Sequence, residues 1–262
     1  MPVVSATAEF IVTIDGPAGT GKSTVAHRLA RRLGLEFLDT GAMYRAAALE
    51  AIDRGISLSD GESVATLVRT MELRFDWRRD PPEMLVDGRA VGERIRTQEV
   101  TRAVSIVASN SAVRAAMVES QRLIASLHPR LVTEGRDQGS LVFPDADVRI
   151  YLDARPEIRA RRRVDQLRVK GIETTEAEVL AQIIERDAMD SSRRDGPLIC
   201  PRGADVVETS DMHIDAVVDA LVAIVKKRAG KALVQSARER DELNADRSMH
   251  GDSDGTHADG RA

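Results

Sequence analysis

Short apolar runs alternate with helical patterns along most of the chain. Residues 10–15 are apolar and mostly β-branched, which is typical of a buried strand, and apolar side chains recur at helical spacing through residues 22–33. Further apolar runs lie at residues 37–38, 130–133, 148–152 and 206–207. Strands that alternate with helices in this way form a parallel sheet covered on both faces. The pattern therefore predicts an α/β protein with a central parallel sheet flanked by helices.

One stretch interrupts the alternation. Residues 72–77 and 83–88 each alternate between apolar and polar side chains, and the turn-rich segment R-R-D-P-P separates them. This pattern predicts an inserted antiparallel hairpin, with two helices after it. Residues 109–111 mark the break between these helices, and Ser111 is the predicted N-cap of the second.

The end of the chain has a different composition. Beyond Arg228 the sequence lacks aromatic residues and is rich in small, polar and charged ones. Such a segment has too little apolar surface to offset the conformational entropy lost on folding. We therefore expect a frayed helix near residue 230 and a disordered tail over residues 230–262.

The composition narrows the class of protein. The 262 residues are 42% hydrophobic and 31% charged, which is typical of soluble globular proteins. A single cysteine, Cys200, excludes a disulfide framework or a cysteine-rich zinc site within one chain and favours a reducing location. No run approaches the roughly 18–20 apolar residues of a membrane span, and no signal-peptide pattern begins the sequence. We expect a soluble cytoplasmic protein with no membrane partner.

Charge and aromatic content limit the possible partners. Aromatic side chains make up 3% of the sequence, too few for platforms that stack nucleic-acid bases. The net charge is −4, but residues 155–170 hold seven basic residues and two acidic ones, a local field suited to a polyanion. We expect a small anion as the partner and no nucleic acid. The five histidines lack metal-ligand spacing, so none is expected to hold a metal.

A glycine-rich motif follows the first strand. Residues 16–23 fit the P-loop pattern G-x-x-x-x-G-K-[ST], with a strand before and a helix after as the motif requires. Backbone N–H groups of such a loop converge on a phosphate, and the helix N-terminus adds positive charge. Lys22 is expected to reach the terminal phosphates, and Ser23 to ligate Mg²⁺. The residues predicted to bind the phosphoryl donor are Gly16, Pro17, Ala18, Gly19, Thr20, Gly21, Lys22, Ser23 and Thr24.

A P-loop alone does not distinguish a switch GTPase, a motor ATPase and a small-molecule kinase, because all three share the phosphate cradle. The sequence contains no N-K-x-D tetrapeptide for reading guanine, no apolar strand ending in Asp-Glu, and no L-S-G-G-Q signature of transport ATPases. This favours a nucleotide-dependent kinase, which must bind a second anion and shield the phosphoryl group from water. A P-loop binding switch or an assembly ATPase is the alternative from another class.

Two further segments supply candidates for binding that second anion. The second strand is followed by D-T-G-A-M-Y-R, which opens a helix, so Thr40 can cap the helix or donate a hydrogen bond and Arg45 suits a phosphate monoester. A later apolar strand ends in T-E-G-R-D, at the sheet edge where α/β proteins bind ligands. Arg136 and Asp137 are therefore predicted to face the cleft as a donor and an acceptor.

Charged residues cluster on two predicted helices. Arg186, Asp190 and Arg193 are spaced i, i+4 and i+7, which places them on one helical face. Another set that shares a face lies in the basic run, and it consists of Arg159, Arg162 and Arg163. Such runs are otherwise typical of a solvated face. In a kinase, arginines stabilise the moving phosphoryl group by spreading positive charge around it.

These motifs together resemble those of bacterial-type cytidylate kinases. The resemblance extends over residues 10–227 and includes D-G-P-A-G-T-G-K-S, D-T-G-A-M-Y-R, I-R-T-Q-E-V, G-R-D-x-G-x-x-V-F-P-D-A, Y-L-D-A and E-R-D-x-x-D-x-x-R. It implies a nucleoside-monophosphate kinase fold with three parts. The implied parts are a P-loop core (8–66, 128–154 and 197–229), a monophosphate-binding insert of antiparallel strands and helices (67–127), and a small helical lid with hinge helices (155–196).

The resemblance also implies an activity, the transfer of the terminal phosphoryl group of ATP to CMP or dCMP with Mg²⁺, by direct in-line transfer in a monomer. A kinase of the same fold that acts on UMP, AMP or dTMP is the alternative. The residues implied to be catalytic are Lys22, Arg136, Arg186 and Arg193, and those implied to contact the donor from the lid are Arg159, Arg162 and Arg163. The implied acceptor site comprises Thr40, Tyr44, Arg45, Ser105, Arg114, Arg136, Asp137, Arg186, Asp190 and Arg193.

Base recognition follows from the same implied geometry. Cytosine displays an amine donor beside two acceptors, N3 and O2, so a carboxylate at Asp137 with donors at Ser105 and Arg114 can read it. Uracil would place a carbonyl oxygen against the carboxylate and leave a buried polar group unsatisfied, at a cost of about 1–3 kcal/mol. The implied site therefore favours CMP over UMP.

Overall fold

The structure is a computed structural model that describes residues 9–169 and 171–230. Its central sheet consists of β1 (Phe10–Asp15), β2 (Glu36–Asp39), β6 (Arg130–Glu134), β7 (Val148–Asp153) and β8 (Asp205–Glu208), all parallel and paired in the order β2-β6-β1-β7-β8. All of β1 is buried because this middle strand is covered on both faces. Every apolar run predicted to form the sheet is one of its strands, so the predicted fold class is confirmed.

The helices of the described residues cover the two faces of this sheet and extend from its edge. They are α1 (Lys22–Leu33), α2 (Thr40–Asp53), α3 (Gly61–Thr70), α4 (Gln98–Ser109), α5 (Ser111–Leu127), α6 (Pro156–Val169), α7 (Glu176–Ser191) and α8 (Ile214–Ala229). On one face, α1 and α8 pack against Val12 and Ile14 of β1. On the other face, Ile11 belongs to a core shared with α2 to α5. Alternate residues of β1 thus face opposite layers.

The predicted hairpin is present and has one strand more than expected. The strands β3 (Leu73–Asp76), β4 (Glu83–Val86) and β5 (Arg89–Ala90) pair antiparallel in chain order. Buried hairpin residues such as Phe75 and Met84 belong to the same core as Leu131 of the central sheet. The hairpin therefore packs on the core, while the predicted domain boundaries stay a prediction.

The N-cap predicted for α5 is wrong by one residue. The cap is Asn110, whose Oδ1 accepts from the backbone N–H groups of Ala112 (2.9 Å) and Val113 (3.3 Å). Ser111 is the first helical residue, and its hydroxyl contacts the Asp195 carboxylate instead. Asn and Ser are both strong N-cap residues, so composition alone could not choose between these neighbours.

Helices α6 and α7 pair with each other beyond β7 and form the region predicted to be the lid. Their own small apolar core consists of Ala160, Val164, Val179 and Ile183. A capping box starts α7: Thr175 accepts from the Glu178 backbone N–H, and the Glu178 carboxylate accepts from that of Thr175. The turn between the two helices includes residue 170, which lies outside the described residues.

The carboxyl ends of the parallel strands meet at one edge of the sheet. Asp39 of β2 is in register with Glu134 of β6, which is in register with Ile14 of β1. The P-loop, the start of α2 and the segment after β6 therefore all leave the sheet at this edge. Within the described ranges, no helix has the length and apolar character needed to cross a membrane. The predicted tail beyond residue 230 lies outside the described residues.

Candidate active site

The P-loop begins where β1 ends. Gly16 has a φ of 148°, which L side chains rarely adopt, and a Cβ there would overlap the carbonyl oxygen of Leu152 on β7. Gly21, with a φ of 88°, is the N-cap of α1. The N-terminus of α1 therefore opens onto the loop, a geometry that favours phosphate binding.

Lys22 is the first residue of α1, and its side chain folds back over this loop. Its side chain is buried, and Nζ donates to the Pro17 carbonyl oxygen at 2.7 Å and lies 3.5 Å from Thr20 Oγ1. Burial and the neighbouring Arg136 guanidinium lower the pKa of Lys22. Because a nearby anion favours the charged ammonium, Lys22 is placed to respond to a phosphate in the loop.

Ser23 and Asp39 bring oxygen atoms together beside the P-loop. The Ser23 hydroxyl donates to Asp39 Oδ2 at 3.3 Å, and Asp39 Oδ1 caps α2 by accepting from the Ala42 backbone N–H at 2.8 Å. Such oxygens suit Mg²⁺. The described residues contain no group of three or more His, Cys, Asp or Glu side chains suited to a metal, so an ion here would take water or phosphate oxygens as further ligands. Thr24, also predicted to contact the donor, is exposed.

The start of α2 forms one side of the predicted acceptor site. Thr40 donates from Oγ1 to the Glu134 carbonyl oxygen at 2.6 Å, and this hydrogen bond joins α2 to the end of β6. The N-cap of α2 is Asp39 rather than Thr40. Burial raises the pKa of Tyr44 to about 12, so its hydroxyl is a neutral donor at physiological pH. Arg45, the residue after Tyr44, is half-buried.

A buried ion pair lies next to Tyr44. The Asp137 carboxylate contacts the guanidinium of Arg114, whose Cζ is 5.9 Å from the centre of the Tyr44 ring. Burial raises the pKa of Asp137, while the positive charges around it, Arg114 first, act in the opposite direction. Ser105 is half-buried on α4, one turn before Ala108, whose carbonyl oxygen accepts from Arg114 at 3.4 Å. The structure thus brings Asp137 and Arg114 into contact, and the grouping of Ser105 with them stays a prediction.

A second ion cluster joins the segment after β6 to the end of α7. Arg136 Nε donates to Asp190 Oδ2 at 2.8 Å, and the other carboxylate oxygen of Asp190 contacts Arg193. Burial alone would raise the pKa of Asp190, but the guanidinium groups of Arg136, Arg193 and Arg186 hold it below its usual value. Asp190 therefore stays ionised and fixes two arginines.

The helical face predicted for Arg193 is wrong. Helix α7 ends at Ser191, and the chain then folds back so that the Leu198 backbone N–H donates to the Asp190 carbonyl oxygen at 2.9 Å. Gly196 allows this return with a φ of 60°. Arg193 reaches Asp190 from this segment, so the predicted grouping holds although the helix does not extend that far.

Several arginines of the predicted acceptor site have N–H groups without a hydrogen-bond acceptor in the described part of the chain. The buried Nε atoms of Arg45, Arg114, Arg186 and Arg193 have no hydrogen-bond partner among the described residues. Burial and the charge of Arg136 lower the pKa of Arg186 to about 10. Buried donors without partners and mutually repelling guanidinium groups are both satisfied by an anion. This arrangement therefore favours the binding of an anion.

The three lid arginines of α6 differ in their surroundings. Arg159 is buried and bonds to the P-loop, while Arg162 donates to the Thr209 carbonyl oxygen at 2.5 Å after β8. Arg163 is exposed and donates to Gln166 at 3.3 Å. Its pKa is lowered by burial of part of the side chain and by the charge of Arg45. The pKa of Arg163 thus responds to the charge of Arg45, one of the predicted acceptor residues.

Two aspartates of the site were not predicted to act in it. Asp15, the last residue of β1, accepts from the backbone N–H groups of Gln138 and Gly139, both at 2.7 Å, and burial raises its pKa to about 7. Asp187 contacts Arg159 and the P-loop. Both aspartates lie within motifs of the resemblance, D-G-P-A for Asp15 and E-R-D for Asp187, and this was the sequence signal that could have pointed to them. Their contacts become visible only in the structure.

Comparison with known proteins identifies the family. A family model for cytidylate kinase matches residues 12–227. The chain is 45% identical over 226 residues to a cytidylate kinase of Rhodococcus opacus and 44% identical over 222 residues to one of Mycobacterium avium. These alignments cover 86% and 85% of this chain, and 98% and 97% of the two relatives. The shikimate kinase structure from Bacteroides thetaiotaomicron aligns with 84% of this chain and 99% of its own at a TM-score of 0.44 and 12% identity, a likeness too weak to carry an argument.

The family match covers the P-loop, both ion clusters and the lid within one alignment. The resemblance seen in the sequence motifs is thereby confirmed. The chain belongs to the cytidylate kinase family.

Proposed function

We propose that the protein transfers the terminal phosphoryl group of ATP to CMP or dCMP, giving ADP and CDP or dCDP by direct in-line transfer. The observation that carries the proposal is the convergence of positive charge at one sheet edge. Besides burial, the charge of Arg136 lowers the pKa of both Lys22 and Arg186, and that of Arg45 also acts on Arg186. A cradle of repelling cations beside a P-loop matches the charge that phosphoryl transfer spreads over the donor and acceptor oxygens.

The chain's own residues have separate tasks in this reaction. The P-loop and Lys22 bind the donor phosphates, and Arg45 binds the acceptor phosphate. Arg136, Arg186 and Arg193 surround the group in transfer, and Asp190 holds two of them in place. The attacking oxygen belongs to a phosphate that is already ionised, so the reaction needs positioning and charge rather than a strong general base.

The proposed base site is the Arg114–Asp137 pair. Asp137 accepts from the cytosine amine while Arg114 and Ser105 donate to the base acceptors. Arg114 retains a buried Nε without a partner among the described residues, which supports its role as a donor. Uracil offers no amine at this position, so CMP and dCMP are the preferred acceptors.

Mg²⁺ fits the chemistry of the oxygens beside the P-loop. Ser23 and Asp39 would hold it, the serine directly and the carboxylate through its contact with the serine hydroxyl. When bound, the ion neutralises charge on the donor phosphates. Removing divalent ions with a chelator should therefore abolish turnover while leaving CMP binding measurable by calorimetry.

We also propose a cytoplasmic monomer. The ion pairs of the proposed acceptor site, Arg114–Asp137 and Arg136–Asp190, form within one chain, which supports this proposal. Light scattering coupled to size-exclusion chromatography tests this, and a dimeric mass at micromolar concentration would contradict it.

The decisive experiment compares steady-state rates for six nucleoside monophosphates with ATP as the donor. We expect the highest kcat/KM with CMP and dCMP. A higher kcat/KM with UMP, AMP or dTMP would show that this nucleotide, rather than CMP, is the preferred acceptor. If no monophosphate stimulates ATP turnover, the result would instead support a P-loop binding switch.

A further inference from the structure

The lid touches the tip of the P-loop through one ion pair. Arg159 on α6 donates from Nη1 to the Ala18 carbonyl oxygen at 3.0 Å and to Asp187 Oδ2 on α7 at 2.5 Å. Asp187 Oδ1 in turn accepts from the Ala18 backbone N–H at 3.3 Å. The two peptide groups that flank Ala18 are therefore held by the two members of one pair.

Packing reinforces these hydrogen bonds. Gly19 adopts a φ of 83°, and a Cβ placed on it would lie 3.2 Å from Cβ of Arg159 and 3.7 Å from Cδ1 of Ile183. Arg159 is 4% exposed, and its Nε donates to the Ala154 carbonyl oxygen at 2.9 Å. Its Nε and Nη1 atoms are thus committed to protein acceptors, which fixes the guanidinium against the P-loop.

We propose that Arg159 and Asp187 are positioning residues that fix the P-loop tip against the lid. This role is additional to the donor contact expected for Arg159, and it rests on the proposed kinase function. Asp187 lies on α7 between Arg186 and Asp190, which belong to the acceptor site. One helix thereby sets the distance between the donor phosphates and the acceptor phosphate, on which an in-line transfer depends.

The test replaces each member of the Arg159–Asp187 pair in turn. Asp187→Ala should lower kcat by about a hundred-fold and weaken ATP binding, because a displaced P-loop misaligns the donor. The KM for CMP should stay within a factor of about two, since the acceptor pocket is built from other residues. Asp187→Asn keeps an oxygen for the Ala18 N–H but not the charge, so it should recover part of the ATP affinity.

A matched control is available on the same two helices. Arg161 and Glu176 also join α6 to α7, at 3.4 Å, but both are exposed and neither touches the P-loop. Glu176→Ala should leave kcat and both KM values unchanged. Arg159→Lys, which keeps a charge but cannot bond Ala18 and Asp187 together in the same way, should resemble Asp187→Ala.

Binding and kinetic measurements together distinguish a failure of the proposed function from a failure of the role proposed for Arg159 and Asp187. ATP affinity measured by calorimetry without an acceptor tests the pair even if the wild-type enzyme does not phosphorylate CMP, an outcome that would overturn only the proposed function. Wild-type kcat and ATP affinity in Asp187→Ala would overturn the pair's role. So would an equal rise in KM for ATP and CMP, or a lower melting temperature with unchanged kinetics, because either result describes a general structural role.

Discussion

Asp137 and Arg114 face each other in the interior, with side chains 6% and 3% exposed. Gly196 passes directly over them, and a Cβ there would overlap the Arg114 guanidinium and the Asp137 carboxylate. Two opposite charges packed this tightly hold each other's orientation. In the proposed base site, the acceptor and the donor would therefore be aligned before a base binds.

Replacing Asp137 tests base choice. Asp137→Ala removes an ionised acceptor, so kcat/KM for CMP should fall by about ten- to a hundred-fold. The kcat/KM for UMP should fall far less, because uracil has no amine for this carboxylate. Steady-state kinetics with both substrates measure the ratio, and Arg45→Ala, which removes a shared phosphate contact, should lower both substrates together.

Asp137→Ala also lowers the stability of the fold, and this effect must be distinguished from the effect on base choice. Without Asp137, Arg114 is a buried charge that has lost its carboxylate partner, which costs about 3–5 kcal/mol of folding stability. Asp137→Asn preserves the shape and gives a second variant if the alanine protein does not fold. Equal losses for CMP and UMP in the folded variants would show that Asp137 orients Arg114 rather than reading the base.

Lys22 tests the donor side. Lys22→Ala should remove most phosphoryl transfer, because it takes away the ammonium that reaches the donor phosphates. CMP binding should persist, since the acceptor pocket is formed by other elements. Product formation followed by chromatography, with CMP affinity from calorimetry, measures both. Turnover at the wild-type rate would contradict the P-loop assignment.

At the scale of elements, the α5 cap gives a local prediction. Asn110→Ala should lower the free energy of unfolding by about 1 kcal/mol, because the Ala112 and Val113 N–H groups lose their acceptor. Ser111→Ala is the comparison variant and should cost less, since Ser111 Oγ caps no helix and loses only its exposed contact with Asp195. Urea unfolding followed by circular dichroism measures both, and an unchanged free energy of unfolding in Asn110→Ala would contradict its assignment as the cap.

The central elements could be predicted from the sequence because their signals are local. The strand, glycine loop and helix of residues 10–33 follow directly from hydrophobic periodicity and the P-loop motif. The end of α7 could not, because the chain turns back there through a hydrogen bond from Leu198 to Asp190. The short strand β5 has only two residues, too few for a periodic pattern.

At the scale of the whole molecule, the motifs predicted which residues gather but not how they bond. The grouping of Arg136 with Asp190 was expected from the family, and the structure shows the hydrogen bond. The contact of Asp187 with Ala18 joins positions 169 residues apart. No local pattern encodes such a distance, since it depends on how α7 packs across the P-loop.

The hairpin insert and the central sheet share one hydrophobic core, and this predicts a single unfolding transition. Trp77, the only tryptophan in the sequence, packs against that core, and its ring centre lies 4.4 Å from that of the tilted His128 ring. Its fluorescence therefore reports on hairpin docking, whereas far-UV circular dichroism reports on the whole chain. We expect the two urea transitions to coincide in midpoint and slope, as one cooperative unit requires.

A core substitution in the hairpin sharpens this prediction. Met84 is 3% exposed, so Met84→Ala should lower the free energy of unfolding by about 2–5 kcal/mol. If hairpin and sheet unfold together, both probes should shift to the same lower urea midpoint, because the lost packing belongs to the shared core. A shift in fluorescence that leaves the circular dichroism midpoint in place would mean that the hairpin unfolds by itself, and the insert would then be an independent unit.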